Sequence, residues 1–304
     1  MDSINFTFST YVPTQGRYYR YNSFDGKTHL AIAKYIQNGE NERVLQLFER
    51  LLRECCEDDI NITKLHNVDL FCLLLNLRIM SVSDKFEFKA QVDTGLEKTK
   101  NTVRLDLYDI LDKVTNNPNK FENRVQIDHD VFVYFGYPTK LMYDQQDDMI
   151  IETIKRIETS DKIFDISDMN VDQKTQILDN LSGDVLMDAI KYIKQLDQNY
   201  RVPVFDSLGV VSEELKSVEL KLFDNSFFEF LKLMYNCNLE EQYYNRYIMV
   251  KHMGFMLSDV ENNPPIEIKT YIKMYEQELD EQRKANEKGS KSGGQTVGAD
   301  PRIM

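Results

Sequence analysis

The 304-residue sequence has no tryptophan, only four cysteines, seven prolines and four histidines, and too few basic residues to balance its acids: 37 Lys and Arg face 50 Asp and Glu, a net charge of −13. Each shortage excludes a class of protein. The basic deficit argues against a chain built to grip nucleic acid, since neutralising phosphates needs a concentrated Lys/Arg surface. Cys55 and Cys56 are adjacent, Cys72 lies in an apolar run and Cys237 stands alone, so no Cys-x-x-Cys pair exists. Adjacent cysteines rarely bond each other and a chain of this length can bury a core without staples, so buried thiols in a reducing cytosol are expected. The sequons at Asn5 and Asn61 then carry no glycan. Met1-Asp2-Ser3-Ile4-Asn5 has neither the basic nor the apolar region of a secretion signal. The densest apolar run, Leu70 to Leu77, ends at Arg78, far short of the ~20 residues a membrane span needs.

Catalytic signatures are missing too. The chain contains no G-x-G-x-x-G, G-x-x-x-x-G-K-[ST], G-x-S-x-G or H-E-x-x-H, and His29, His66, His129 and His252 are scattered. No cofactor, metal or small-molecule substrate is expected. Asp168-Met169-Asn170-Val171-Asp172 has the alternating oxygens of a calcium loop, but Gln173 replaces its sharp-turn Gly, and helix capping by Asn170 explains the same residues. Asp128-His129-Asp130 reads as a turn before a strand.

Periodicity predicts an α+β protein, mainly α-helical, with two helical lobes each carrying a small β-hairpin. The expected divisions are an extended aromatic and basic arm over 1–25, an N-terminal lobe over 26–137, a C-terminal lobe over 138–287 and a flexible Gly/Ser tail over 288–304. Within the first lobe a short helix should span Lys27 to Gln37. Val44, Leu47, Phe48, Leu51, Leu52 and Cys55 then form the apolar stripe of an amphipathic helix. Thr63 is placed as the cap of a helix to Met80 that is apolar nearly all round. Phe86 to Val92 and Thr102 to Leu107 alternate with period two, as a hairpin does. In the second lobe Ile150, Ile151, Ile154 and Ile157 predict a helix over 147–159, followed by helices from Asn170 and Asp184. A second hairpin pairs 201–205 with 218–223, and helices follow from Phe227, Leu239 and Pro265.

Two surfaces are candidates for partner binding. One is the arm, through Tyr11, Arg17, Tyr18, Tyr19, Arg20 and Tyr21; the other is a helix face made by Tyr243, Tyr244, Arg246 and Tyr247. Tyr and Arg are the residues that anchor protein interfaces.

Four landmarks carry a family likeness: Val12-Pro13-Thr14-Gln15-Gly16 followed by aromatics; Asp69 to Ser81 leading into a hairpin; Ser226-Phe227-Phe228-Glu229-Phe230; and Tyr243 to Phe255 running into Pro264-Pro265 and Tyr271. In this order, over about residues 10 to 280, they resemble the baseplate hub assembly proteins of T-even-type contractile-tailed bacteriophages. Many relatives carry Cys-x-x-Cys pairs in the hairpins where this chain has Val92-Asp93-Thr94-Gly95 and Asp206-Ser207-Leu208-Gly209, so a metal-stapled hairpin is not available here. The resemblance implies a non-enzymatic assembly factor, or chaperone, that docks onto other baseplate hub or tail proteins in the host cell cytoplasm, with no nucleic acid, membrane or small-molecule partner. Two alternatives stand beside it: a structural subunit retained in the finished virion tail, and a cytosolic enzyme or metal-binding protein with a site assembled by the fold. If the arm is a free docking element, Ala at Tyr18, Tyr19 and Tyr21 weakens partner capture and leaves circular dichroism unchanged; loss of fold would place the arm in the core.

Overall fold

Alternating side chains build the first element. Thr7–Val12 (β1) and Arg17–Asn22 (β2) pair antiparallel, with Tyr11 opposite Tyr18. Thr10, Val12, Tyr19 and Tyr21 form the inward face, as the period of two requires. Gly16 closes the turn at φ +63, a left-handed conformation that costs glycine nothing. The computed structural model describes residues 7–93, 98–116, 123–167, 169–179, 184–199, 202–203, 219–220 and 226–292. The chain divides into two compact units. One gathers the chain up to Phe24 and Ala31–Asn236; the other gathers Asp25–Leu30 and the chain from Cys237.

Gly26–Gln37 (α1) ends at Gly39, another positive-φ glycine. Asn41–Glu54 (α2) buries Val44, Phe48, Leu51 and Leu52, one stripe of a 3.6-residue period. A short 3-10 turn, Ile62–Lys64, then precedes Asn67–Ser81 (α3). The helix therefore starts later than the Thr63 cap predicted, for a local reason. The Asn61 side chain takes the Thr63 N–H at 3.2 Å to form the turn, and Asp69 reaches back to the His66 N–H at 3.2 Å to begin the helix.

Every residue of α3 except Met80 is buried. Such a helix must answer each polar group with a partner, because an unsatisfied one in the interior costs about 1–3 kcal/mol. Asp69 accepts the Thr14 N–H at 3.0 Å and the Thr14 hydroxyl, which ties the β1–β2 turn to the start of α3. Asn76 donates to Thr10 Oγ1 at 2.6 Å, tying the same hairpin farther along. Arg78 donates to the carbonyls of Met234 at 2.8 Å and Ser83 at 2.7 Å, and the Tyr235 hydroxyl donates to the Leu74 carbonyl at 2.7 Å. Those last contacts hold Ser226–Tyr235 (α8) against α3 across about half the chain.

Lys85–Asp93 (β3) and Lys98–Asp106 (β4) form the expected hairpin, Phe86 opposite Leu105. Leu107–Thr115 (α4) follows at once, capped by Asp106, which accepts the Tyr108 N–H at 3.0 Å. Arg124–Asp128 (β5), Val131–Phe135 (β6), Ile154–Thr159 (β7) and Ile163–Asp165 (β8) make an antiparallel sheet in that order. His129 and Asp130 turn the chain from β5 to β6.

The predicted helix over 147–159 is corrected here: Gln146–Glu152 (α5) is helical, and the rest is β7. A bulge explains the misreading. Arg156 pairs with Tyr134 but Ile154 pairs with Phe135, so Lys155 is an extra residue. The irregularity buries both Ile154 and Ile157, and a three-residue spacing on one face of a strand imitates a helix.

Val171–Leu178 (α6) has the expected capping box, Gln173 N–H to Asn170 at 2.9 Å and Asn170 N–H to the Gln173 side chain at 3.1 Å. Asp168 lies outside the described residues. Asp184–Asn199 (α7) packs Tyr192 on Phe135, ring centroids 5.3 Å apart. Val202–Pro203 (β9) pairs with Glu219–Leu220 (β10), the described part of the second predicted hairpin; most of 201–225, with Asp206 to Gly209, lies outside.

The second unit holds Leu239–Lys251 (α9), Leu257–Asn262 (α10) and Pro265–Ser292 (α11) around Met249, Val260 and Ile268. Helix α11 reaches into the predicted tail, and residues from 293 lie outside the described set. The mainly helical α+β class holds. All strands among the described residues fall in the first unit, which also contains Gly136-Tyr137-Pro138, the predicted lobe boundary. Asp69→Ala orphans the Thr14 and His66 amides and should cost about 3 kcal/mol of unfolding free energy by denaturant titration; a loss below about 1 kcal/mol would contradict this role of the carboxylate.

Candidate docking surfaces and a cleft

Strand alternation divides the predicted arm residues. Tyr18 stands 66% exposed, with the half-buried Tyr11 ring 5.1 Å away across the hairpin. Arg17 is exposed at the start of β2 but shares the strand face of Tyr19, over whose ring it lies at 4.0 Å. Arg20 is exposed and paired with Asp58 at 2.9 Å, and this partnership raises the guanidinium pKa and lowers the carboxyl's. Tyr19 and Tyr21 are core residues, 1% and 0% exposed. The arm is therefore half interior, and Ala at all three tyrosines is now expected to damage the fold. Burial pushes the Tyr21 phenol pKa far up.

On α9 the chain exposes Tyr243 at 49%, Tyr244 at 61% and Tyr247 at 55%. Their spacing of one, three and four residues keeps them on neighbouring parts of one face. Arg246 is not among them. It is buried, bonded to the Gly26 carbonyl at 3.1 Å and paired with Glu261 at 3.2 Å, and so organises the second unit from within. Tyr244 and Ile248 of α9 line a groove of about 370 Å³ with Ile272, Tyr275 and Leu279 of α11.

The first unit carries a larger open cleft, about 1340 Å³, that periodicity did not reveal. Lys64, Lys140, Lys155 and Arg156 line it, with Tyr134 and Tyr137 among its aromatic walls. These cations are spread over more than ninety positions, and only Lys155-Arg156 are adjacent, so no local pattern announces them. Glu152 sits in the same wall and accepts the Thr139 hydroxyl at 2.8 Å and the Tyr143 phenol. Burial pushes the Glu152 carboxyl pKa up, but those hydrogen bonds with Lys155 and Lys140 outweigh it and hold the group below its ordinary 4.5. Burial also lowers the pKa of His66.

All four cysteines are free thiols. Among the described residues no cluster of three or more His, Cys, Asp or Glu could hold a metal ion, and no helix is long and apolar enough to cross a membrane.

The sequence profile of the T4 bacteriophage base plate protein family matches residues 3–205. The chain belongs to that family, as the resemblance of its landmarks implied. No curated protein and no solved structure matches it. Membership implies contacts with other base plate or tail proteins. The β1–β2 hairpin and the cleft lie inside the matched segment, and Tyr243 to Tyr247 lie outside it.

A carboxyl whose pKa is depressed on folding adds stability that is present above its unfolded pKa and lost as pH falls through the folded one. Glu152→Gln removes that contribution. The stability gap between wild type and Glu152→Gln should be constant above pH 4.5 and shrink below it, as thermal melts across this range would show; a gap that widens on acidification would contradict the assignment.

Proposed function

We propose that this base plate family member is a non-enzymatic assembly factor of the base plate hub, holding hub proteins by docking in the host cytoplasm while the tail is built. The observation that carries the reading is the exposure of large aromatic side chains at Tyr18 and at Tyr243, Tyr244 and Tyr247. A tyrosine covers a large contact area at little entropic cost and keeps a hydroxyl for hydrogen bonding, which suits it to interface anchoring. The hairpin surface combines Tyr11, Tyr18 and Arg20, with the exposed Arg17 at the start of β2; the helical surface combines the three α9 tyrosines with the α9–α11 groove. Tyr19, Tyr21 and Arg246 support these surfaces from inside.

The family match supports work among base plate proteins, and the lack of catalytic signatures in the sequence is compatible with docking as the activity. Ser at Tyr243, Tyr244 and Tyr247 together should leave circular dichroism unchanged and weaken capture of base plate proteins by tagged chain about tenfold or more. Tyr21→Ala should instead destabilise the fold by about 3–5 kcal/mol. Undiminished capture by the triple variant would overturn the α9 surface as a docking site.

A further inference from the structure

The cleft of the first unit has a sign opposite to that of the chain. The whole sequence carries −13, yet Lys64, Lys140, Lys155 and Arg156 line the cleft, and Glu152, the one lining carboxylate among the described residues, is engaged by Tyr143 and Thr139. Glu158, which does not line the cleft, is 3.5 Å from Arg156 and accepts the Tyr134 hydroxyl at 2.7 Å.

The backbone is arranged to present these cations. Consecutive side chains of a regular strand point to opposite faces. The β7 bulge breaks that rule, so Lys155 and Arg156 both line the cleft. A Cβ on Gly136 would stand 2.8 Å from Cγ of Lys155, so the glycine leaves room for the lysine stem. Arg156 lies over the Tyr134 ring at 3.8 Å, and its buried Nε has no hydrogen-bond partner among the described residues.

Size and charge select the occupant. At about 1340 Å³ the cleft exceeds the roughly 300–1,000 Å³ of small-molecule sites and suits a chain segment. A nucleic acid strand is charged at every nucleotide and would run out of the cleft onto the surface of a strongly acidic protein. A peptide can confine its carboxylates to the cleft. We infer that the cleft docks an extended acidic peptide segment of a partner protein, its carboxylates set against Lys64, Lys140, Lys155 and Arg156. The partner's being a base plate protein rests on the function proposed above; the peptide chemistry does not.

The test uses the full chain and fluorescence anisotropy with a labelled synthetic peptide of alternating Glu and Ser. Lys64 and Lys140 are both exposed, so K64E/K140E reverses charge without disturbing the core, and Lys155→Gln keeps most of the stem over Gly136. The expected result is binding that weakens with added salt, falls about tenfold or more in K64E/K140E, falls less in Lys155→Gln, and is replaced in K64E/K140E by binding of the matching Lys/Ser peptide. No binding by wild type, equal binding by K64E/K140E, or tighter binding of a single-stranded oligonucleotide of equal length would overturn the inference. Capture of base plate proteins, read on the same wild-type sample, separates the two claims: intact capture without peptide binding removes the cleft alone, whereas peptide binding without any capture removes the proposed assembly-factor docking and leaves the cleft's chemistry standing.

Discussion

The first unit depends on one constraint: α3 is a helix with almost no surface. Burying a helix on all sides removes water as a partner for any polar group it carries, and this one carries Asp69, Asn76 and Arg78. Each is answered by a hydrogen-bond partner from another element. Asp69 and Asn76 hold the β1–β2 hairpin at two points, and Arg78 holds the end of α8, where Tyr235 bonds back to Leu74. The same bonds that make burial tolerable fix which elements lie against the helix. Apolar packing supplies most of the driving force, but it is non-directional; the polar side chains give the arrangement its register.

That register decides which aromatic side chains reach water. Asp69 and Asn76 clamp one face of the β1–β2 hairpin onto α3, so alternation sends Tyr19 and Tyr21 inward and Tyr18 outward. In the second unit, Arg246 spends its charge on Glu261 and the Gly26 carbonyl, and the tyrosines flanking it are left at the surface. In both places a polar contact made inside determines what is displayed outside. The cleft follows the same logic through a bulge, where one extra residue in β7 re-aims two cations.

Much of the helical architecture was legible because its signals are local. The stripe of α2, the Asn170–Gln173 box and the β3–β4 alternation need only neighbouring residues. The errors arose where a distant partner altered a local pattern. Ile154 and Ile157 have a helical spacing, but the register shift between β6 and β7 lets a strand bury both. Thr63 looked like a helix cap, but Asn61 takes its amide into a 3-10 turn and Asp69 bonds back to the His66 N–H, so the helix starts at Asn67. The arm pattern Arg17 to Tyr21 was visible, but only the partner face of α3 decides that Tyr19 and Tyr21 are core. The basic cleft gave no signal, since Lys64, Lys140 and Lys155 meet through tertiary folding and the acidic composition masks them.

Base plate family membership leaves one question above the others, whether the chain departs once the hub is built or stays in it. The most direct measurement is quantitative mass spectrometry of finished phage particles beside tail-assembly intermediates from infected cells. The proposed role as an assembly factor predicts the chain in the intermediates and not in the finished particles. A fixed proportion to hub proteins in both would contradict it and make the chain a structural subunit of the base plate.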